Sequence, residues 1–154
     1  MSPDYHIRAA TLKDAAMISH HRAAMFRDMG ELEEADVATL EAETQAYLTE
    51  LIPTNKYFGW VVEFYGQVVA GGGLIVRRLL PRPESLQGGA EAYLLNVYTE
   101  PEHRRQGLGR ALMEEMLVWC RENHIARITL HASDEGRLLY ESLGFVQTNE
   151  MKLR

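Results

Sequence analysis

A single cysteine, Cys120, is present in the 154 residues of the sequence. A lone cysteine cannot form an intramolecular disulfide, and a chain of this length buries enough apolar surface to fold without a disulfide or metal staple. Residues 1–8 are polar and contain no apolar signal-peptide core. Together these absences predict a reducing compartment, with the cytoplasm as the location.

Long hydrophobic runs and an excess of basic charge are also missing. The fully apolar stretches are only a few residues long, well below the ~20 residues that a membrane-spanning helix needs, so we predict no membrane partner. Lys and Arg number 16 against 22 Asp and Glu, which gives a formal net charge of −6. A net-acidic surface repels the phosphate backbone and predicts no nucleic-acid partner, although a few local donors can still bind a small anion.

Nothing in the sequence divides it into separate parts. No internal repeat or Ser/Gly-rich linker is present, and the loop-like stretch 77–89 is too short for a domain boundary. Apolar residues make up 46% of the chain and charged residues 25%, as is usual for soluble globular domains. We therefore predict one domain over residues 1–154.

Hydrophobic periodicity, caps and turn residues predict strands and helices along the chain. The predicted strands cover 5–8, 58–65, 67–76, 92–99, 127–131 and 145–152, and the predicted helices cover 11–29, 35–51, 107–123 and 135–143. Consecutive strands in the middle favour antiparallel pairing, and the strand–helix alternation that follows favours some parallel pairing. The predicted fold class is α/β, a mixed sheet in a sandwich with helices.

One segment, residues 94–117, carries the strongest chemical signal. A buried strand leads into a basic loop with glycines at Gly107 and Gly109, and a helix starts at this loop. The unpaired N–H groups and the positive dipole end of such a helix bind phosphates. Glycine lets an anion approach the backbone, and three nearby arginines add positive charge. The segment predicts a pyrophosphate site; a plain strand–helix turn with solvated arginines is the alternative.

The motif around Gly107 can be compared with known phosphate-binding motifs, each of which is typical of a different protein family. Walker A requires Gly-Lys-Ser/Thr, and the dinucleotide fingerprint requires a small residue where Leu112 stands, so neither fits. Residues 104–109 instead match Arg/Gln-x-x-Gly-x-Gly/Ala. Residues 133–145 match Asn-x-x-Ala-x-x-Leu-Tyr-x-x-x-Gly-Phe with Tyr140 in register. On these residues the chain resembles the GNAT superfamily of N-acetyltransferases.

The second motif departs from the family pattern at two positions. Ser133 stands where the family has asparagine, and Gly136 stands where alanine is usual. Serine still forms hydrogen bonds, but with a shorter reach than asparagine.

The resemblance implies a GNAT-like fold, acetyl-CoA as co-substrate and a set of site residues. The pyrophosphate would bind backbone amides along the loop and helix start, at Arg104, Arg105, Gln106, Gly107, Leu108, Gly109 and Arg110. The strand end at Val97, Tyr98 and Thr99 would pair with the pantetheine arm, which Ser133 would also contact. Tyr140 would be the general acid that protonates the leaving thiolate. From its pattern alone, Tyr140 is more typical of a half-buried core residue.

The general base is not identified by the sequence. Direct attack requires a neutral amine, and the glutamate that supplies the base in several family members corresponds to Tyr93 here. Glu91 is two residues earlier and points to the same face if the strand extends that far, which makes it a candidate base that acts directly or through water. A solvated strand-end carboxylate is an equal explanation of Glu91, and Glu63 is a weaker candidate.

The charge of one segment bears on the acceptor. Residues 28–55 contain eight acidic residues and no Lys or Arg. A negative rim would favour a cationic acceptor such as a polyamine, an aminoglycoside or a lysine-rich peptide, and a solvated helix face is the alternative. The large side chains near this segment could wall an acceptor pocket or belong to the core: Met25, Phe26, Met29, Tyr57, Phe58 and Trp60.

These observations predict an N-acetyltransferase that moves an acetyl group directly from acetyl-CoA to a primary amine of a small molecule or peptide, with a cationic acceptor favoured. The alternatives are a GNAT-like acyl-CoA-binding or regulatory module without turnover and, more distantly, a binder of another phosphate ligand. No metal site is predicted, because the histidines lack zinc-ligand spacing and no thiol pair exists. Homodimers are common in the family, so a homodimer is one possible assembly.

Overall fold

A computed structural model describes residues 1–154 and contains five strands and four α-helices. They are β1 (Tyr5–Ala9), α1 (Ala15–Asp28), α2 (Val37–Leu51), β2 (Tyr57–Phe64), β3 (Gln67–Leu79), β4 (Gly89–Thr99), α3 (Leu108–Glu122), β5 (Arg127–Leu130) and α4 (Arg137–Ser142). The sheet order is β1-β2-β3-β4-β5. All neighbours are antiparallel except β4 and β5, which are parallel. The predicted fold class, a mixed and largely antiparallel sheet flanked by helices, is confirmed.

The start of the first helical segment follows the predicted capping arrangement. Thr11 and Asp14 form a capping box around a short 3-10 turn, in which the Thr11 amide donates to Asp14 at 2.7 Å. Arg8 of β1 donates to both carboxylate oxygens of Asp14 and also to Glu63 of β2. This contact with Arg8 lowers the pKa of Asp14 below its ordinary value. The network fixes α1 against the edge of the sheet.

Alternation along β2 sends side chains to two separate cores. Trp60 and Val62 face α3, whose apolar stripe is fully buried at Leu112, Met116 and Cys120. Tyr57 faces the other side, where it packs with a smaller cluster from α1 and α2. The sheet is therefore covered on both faces, which leaves its free strand edges as the remaining place for a ligand.

The junction of β4 and β5 opens a gap in the sheet. Their parallel ladder ends at the pair Leu94 and Leu130. Two residues further along β4, Asn96 adopts a φ of 62°, and the register with β3 shifts between Gly71 and Gly73. A bulge of this kind bends the strand, so β4 leaves β5 beyond Leu94 and the two strand ends diverge.

One predicted strand is absent. Residues 145–154 form no regular secondary structure, so the closing strand predicted over 145–152 is wrong. Val146, Met151 and Leu153 are largely exposed. Apolar residues at strand spacing need a neighbouring strand to pair with, and this segment has no ladder partner. No helix of the protein has both the length and the apolar composition needed to cross a membrane.

Candidate functional site

The diverging ends of β4 and β5 form one wall of a cleft of about 750 Å³. Its lining comes from the C-terminal half of α1, from Tyr93–Thr99 of β4, from residues 130–136 and from Leu139 and Tyr140 of α4. Volumes of this size are typical of small-molecule and cofactor sites. The gap between the strands is therefore the candidate functional site.

The cleft-facing edge of β4 is free beyond Leu94, because the ladder with β5 has ended. Val97, Tyr98 and Thr99 all line the cleft at this edge. A free strand edge presents unpaired N–H and C=O groups that an extended ligand can meet as an additional strand would. These three predicted residues lie where an amide-containing chain can pair with them.

The loop before α3 presents backbone amides. The N–H groups of Arg105, Gln106 and Gly107 donate to no backbone carbonyl. Gly107 caps the helix with a φ of 79° and supplies no side-chain cap, which leaves the first-turn amides of α3 free as well. Leu108 as a whole is 2% exposed and belongs to the larger core cluster, so its side chain anchors the helix start in the core. The junction is an anion-binding geometry.

The three arginines of the loop differ in what they contact. Arg104 lines the cleft and donates to Asp28 at 2.8 Å and to the Thr99 carbonyl at 2.9 Å. Arg110 donates to Ser142 of α4 at 2.6 Å. Arg105 is exposed and forms no ion pair. Only Arg105 is thus free to turn toward an incoming anion, while Arg104 and Arg110 tie the loop to α1 and α4.

Tyr140 lies on α4 and faces the cleft. Burial raises the pKa of Tyr140 above its ordinary value, so the phenol keeps its proton at neutral pH. Ser133 also lines the cleft, and its hydroxyl accepts a hydrogen bond from the Gly136 amide at 3.1 Å. A Cβ at Gly136 would lie 2.7 Å from the Tyr140 ring. Glycine at this departure from the motif makes room for the tyrosine.

The two candidate carboxylate bases lie outside the cleft. Glu91 is 9% exposed, accepts a hydrogen bond from Thr129 at 2.5 Å and lies within 4 Å of Arg77 and Arg127. Glu63 is paired with Arg8 at 2.7 Å. Tyr93 does line the cleft. The structure therefore brings Tyr93, and not Glu91 or Glu63, together with the predicted cofactor residues Val97–Thr99, Arg104 and Ser133, whereas residues 105–110 do not line the cleft.

Two further cleft residues were not predicted from the sequence. Arg22 of α1 donates to the side-chain carbonyl of Asn96 at 2.6 Å, and its guanidinium lies 4.8 Å from the Phe26 ring centroid. Burial lowers the pKa of Arg22, and no carboxylate pairs with it. The signal in the sequence was the single polar residue, Asn96, inside an apolar strand, since asparagine tolerates the left-handed backbone that a bulge requires.

The acidic segment reaches the cleft at only two positions, Asp28 and Glu31. Asp28 is neutralised by Arg104, and Glu34 and Glu41 contact Arg27 and His20 on the surface. The large side chains expected near an acceptor divide between the two roles. Met25, Phe26 and Met29 line the cleft, while Tyr57, Phe58 and Trp60 belong to or pack against the core clusters.

The fold and the site define a class of protein: a mixed sheet that splits at one end, with a free strand edge followed by a helix start whose amides are unpaired. The model of the acetyltransferase (GNAT) family matches residues 20–145. A GCN5-related N-acetyltransferase from Ralstonia eutropha JMP134 is 33% identical with a TM-score of 0.89, over 97% of both chains. The chain therefore belongs to the acetyltransferase (GNAT) family.

Other relatives extend the comparison. A predicted acetyltransferase from Clostridium acetobutylicum, in a crystal structure with acetyl-CoA, is 26% identical with a TM-score of 0.88, over 97% of this chain and 96% of that one. A [ribosomal protein bS18]-alanine N-acetyltransferase of Escherichia coli K12 is 42% identical over 67 residues, which are 42% of this chain and 43% of that protein. This match thus spans less than half of that curated relative. A glucosamine 6-phosphate N-acetyltransferase of Trypanosoma brucei brucei is 26% identical over 80% of this chain and 90% of its own.

Proposed function

We propose that the protein transfers the acetyl group of acetyl-CoA directly to a primary amine of a small molecule or peptide. The observation that carries this proposal is an arrangement of two features: the free β4 edge at Val97–Thr99 lines the cleft together with Arg104, and Arg104 is followed directly by the residues 105–107, whose amides donate to no backbone carbonyl. An extended pantetheine arm that ends in a pyrophosphate carries amide groups that suit the strand edge and then phosphates that suit the loop amides. The structural relative determined with acetyl-CoA supports the same ligand.

The residues present fit acetyl-CoA. The backbone of Val97, Tyr98 and Thr99 would pair with the pantetheine amides, and the amides from Arg104 to Arg110 would hold the pyrophosphate. The Ser133 hydroxyl already accepts a hydrogen bond from the Gly136 amide. It would therefore contact the pantetheine by donating its own proton or by accepting a second hydrogen bond. Arg105 would add its free charge from the outer side of the loop.

Tyr140 would supply the proton that the leaving sulfur needs. Its phenol faces the cleft and burial keeps it protonated. When the amine attacks the thioester carbon and the C–S bond breaks, a donor at the sulfur stabilises the departing thiolate. The proton that the nitrogen loses on forming the amide replaces the one that Tyr140 gives.

The acceptor is proposed to carry positive charge besides the reacting amine. Glu31, Asp134 and Glu135 line the cleft and form no ion pair, whereas Arg22 is the one cleft cation without a carboxylate partner. The resulting excess of negative charge attracts ammonium groups. The named relatives act on an alanine amine and on an amino sugar, which are also primary amines.

A module that binds acyl-CoA without turnover is the second candidate. One observation favours it: neither of the two predicted carboxylate bases, Glu91 and Glu63, lines the cleft. The two candidates predict the same cofactor binding and differ in turnover with amines. For either, we propose a cytoplasmic location, in keeping with the buried free thiol of Cys120.

A thermal-shift titration with acetyl-CoA, CoA and ADP tests the cofactor. A ligand at 100 times its Kd stabilises by about 2.7 kcal/mol, which moves the midpoint by several degrees. We expect acetyl-CoA and CoA to give this shift and ADP to give less. Release of the CoA thiol with spermidine, kanamycin and an alanyl peptide then tests turnover. Cofactor binding without thiol release would support the binding module, and no shift with acetyl-CoA would reject both candidates.

A further inference from the structure

A hydrogen-bonded pair of side chains stands in the cleft on the far side of the bulge from the predicted cofactor edge. The Tyr93 hydroxyl lies 2.6 Å from Nδ1 of His131. Both residues line the cleft. Tyr93 precedes the bulge at Asn96 on β4, and Val97–Thr99 follow it. A thioester at the end of a pantetheine arm that pairs with Val97–Thr99 would lie toward the bulge, and therefore toward this pair.

The surroundings of the pair suit proton transfer. Nε2 of His131 lies 3.3 Å from a carboxylate oxygen of Glu150, in the irregular segment after α4. A carboxylate at Nε2 favours the tautomer that carries its proton there, which leaves the Nδ1 lone pair facing the phenol. The Arg77 guanidinium lies 4.7 Å from the centroid of the Tyr93 ring. This cation–π contact helps to hold the Tyr93 ring in place.

We propose that Tyr93 and His131 deprotonate the acceptor ammonium, Tyr93 by contact and His131 through Tyr93. This inference rests on the proposed function and names a base in place of Glu91 and Glu63, which lie outside the cleft. One ammonium proton passes to the Tyr93 oxygen while the phenol's own proton passes to Nδ1 of His131, so Tyr93 ends unchanged. The neutral amine then attacks the thioester carbon. The His131 side chain is 73% exposed and returns its proton to solvent.

The first test is chemical rescue of a cavity variant. The assay uses acetyl-CoA and whichever of spermidine, kanamycin and the alanyl peptide the wild type acetylates fastest. In this assay, His131→Gly should lower kcat at neutral pH by at least about tenfold. The Kd for acetyl-CoA should stay unchanged, and added imidazole should restore kcat because it replaces the missing ring. His124→Gly is the matched control, since His124 is exposed and already has a φ of 57°; it should show neither loss nor rescue.

A double-mutant cycle and a spectrum complete the test. Tyr93→Phe should lose as much kcat as His131→Gly, and the double variant should lose no more than either, because one relay is broken in each case. In the ligand-free protein, ¹⁵N shifts of the His131 ring should show Nδ1 without a proton and Nε2 with one.

Three results would overturn the inference: wild-type kcat in His131→Gly, a loss that imidazole does not restore, or losses that add in the double variant. Wild-type protein that acetylates none of the amines would instead reject the proposed function. The ring spectrum separates the two failures, because it requires neither acetyl-CoA nor an acceptor.

Discussion

At the scale of a single residue, the surroundings of Tyr140 determine both its position and its pKa. Its ring occupies the space above Gly136 that a Cβ would fill, and the residue lines the cleft. Burial raises its pKa, so the folded protein holds the phenol neutral up to and beyond the pH at which an ordinary tyrosine ionises. The phenol thereby keeps its proton over the whole physiological range, as the proposed acid requires.

At this scale, Tyr140→Phe should reduce kcat with the best amine by at least about tenfold, because the thiolate then leaves unprotonated. The Kd of acetyl-CoA, measured by calorimetry, should stay nearly constant, since the ring that packs against Phe145 is retained. Tyr47→Phe, at an exposed tyrosine of α2, is the control. An unchanged kcat would remove Tyr140 as the acid.

At the scale of elements, α3 begins after Gly107, whose left-handed backbone forms the N-cap of the helix. The fold needs this conformation to turn the loop into the helix while its amides face outward. Arg104 and Arg110 tether the loop to α1 and α4. The element is thus both preorganised and held at two sides, which reduces the ordering cost of binding an anion.

Gly107→Val should therefore weaken acetyl-CoA binding, measured by calorimetry, because a β-branched residue disfavours a φ of 79° and obstructs the approach to the amides. Gly66→Val is the matched control, since Gly66 has a φ of 78° in the turn between β2 and β3. Both variants should lose stability to a similar degree. Equal cofactor affinity in the two variants would contradict the pyrophosphate assignment.

At the scale of the whole molecule, a buried histidine joins α1 to the end of β4. His21 is 2% exposed, lies 3.2 Å from Glu100 and packs beside the Tyr98 ring. Burial, with a smaller contribution from His20, lowers the pKa of His21 from its model-compound value of 6.5, and Glu100 opposes this only in part. The folded state therefore holds the imidazole neutral.

Stability should fall as the pH drops below the ordinary histidine pKa, because the unfolded chain then binds a proton at His21 that the folded chain does not. The slope contributed by one such group reaches about 1.4 kcal/mol per pH unit. Urea unfolding from about pH 7.5 to about pH 5.5 measures it. His21→Gln should flatten the slope, and His124→Gln, at an exposed site, should leave it. Identical slopes in wild type and His21→Gln would contradict this account.

The sequence predicted what depends on local chemistry. Thr11 and Asp14 predicted the start of the first helical segment, and the apolar stripe ending at Cys120 predicted α3. The Gly107 motif and Tyr140 indicated the family. Each of these signals lies within a few residues along the chain. Capping, periodicity and backbone freedom act over that range, so they are readable without a structure.

The tertiary structure decided what depends on distant residues. Residues 145–152 have strand-like spacing but no partner to pair with. Glu91 directly precedes the predicted strand, yet Thr129 and two arginines contact it away from the cleft. Tyr93 meets His131 across 38 positions of sequence only because β4 and β5 run parallel and then diverge. Pairing, burial and proximity across a sheet are properties of the packed chain, and local sequence signals do not determine them.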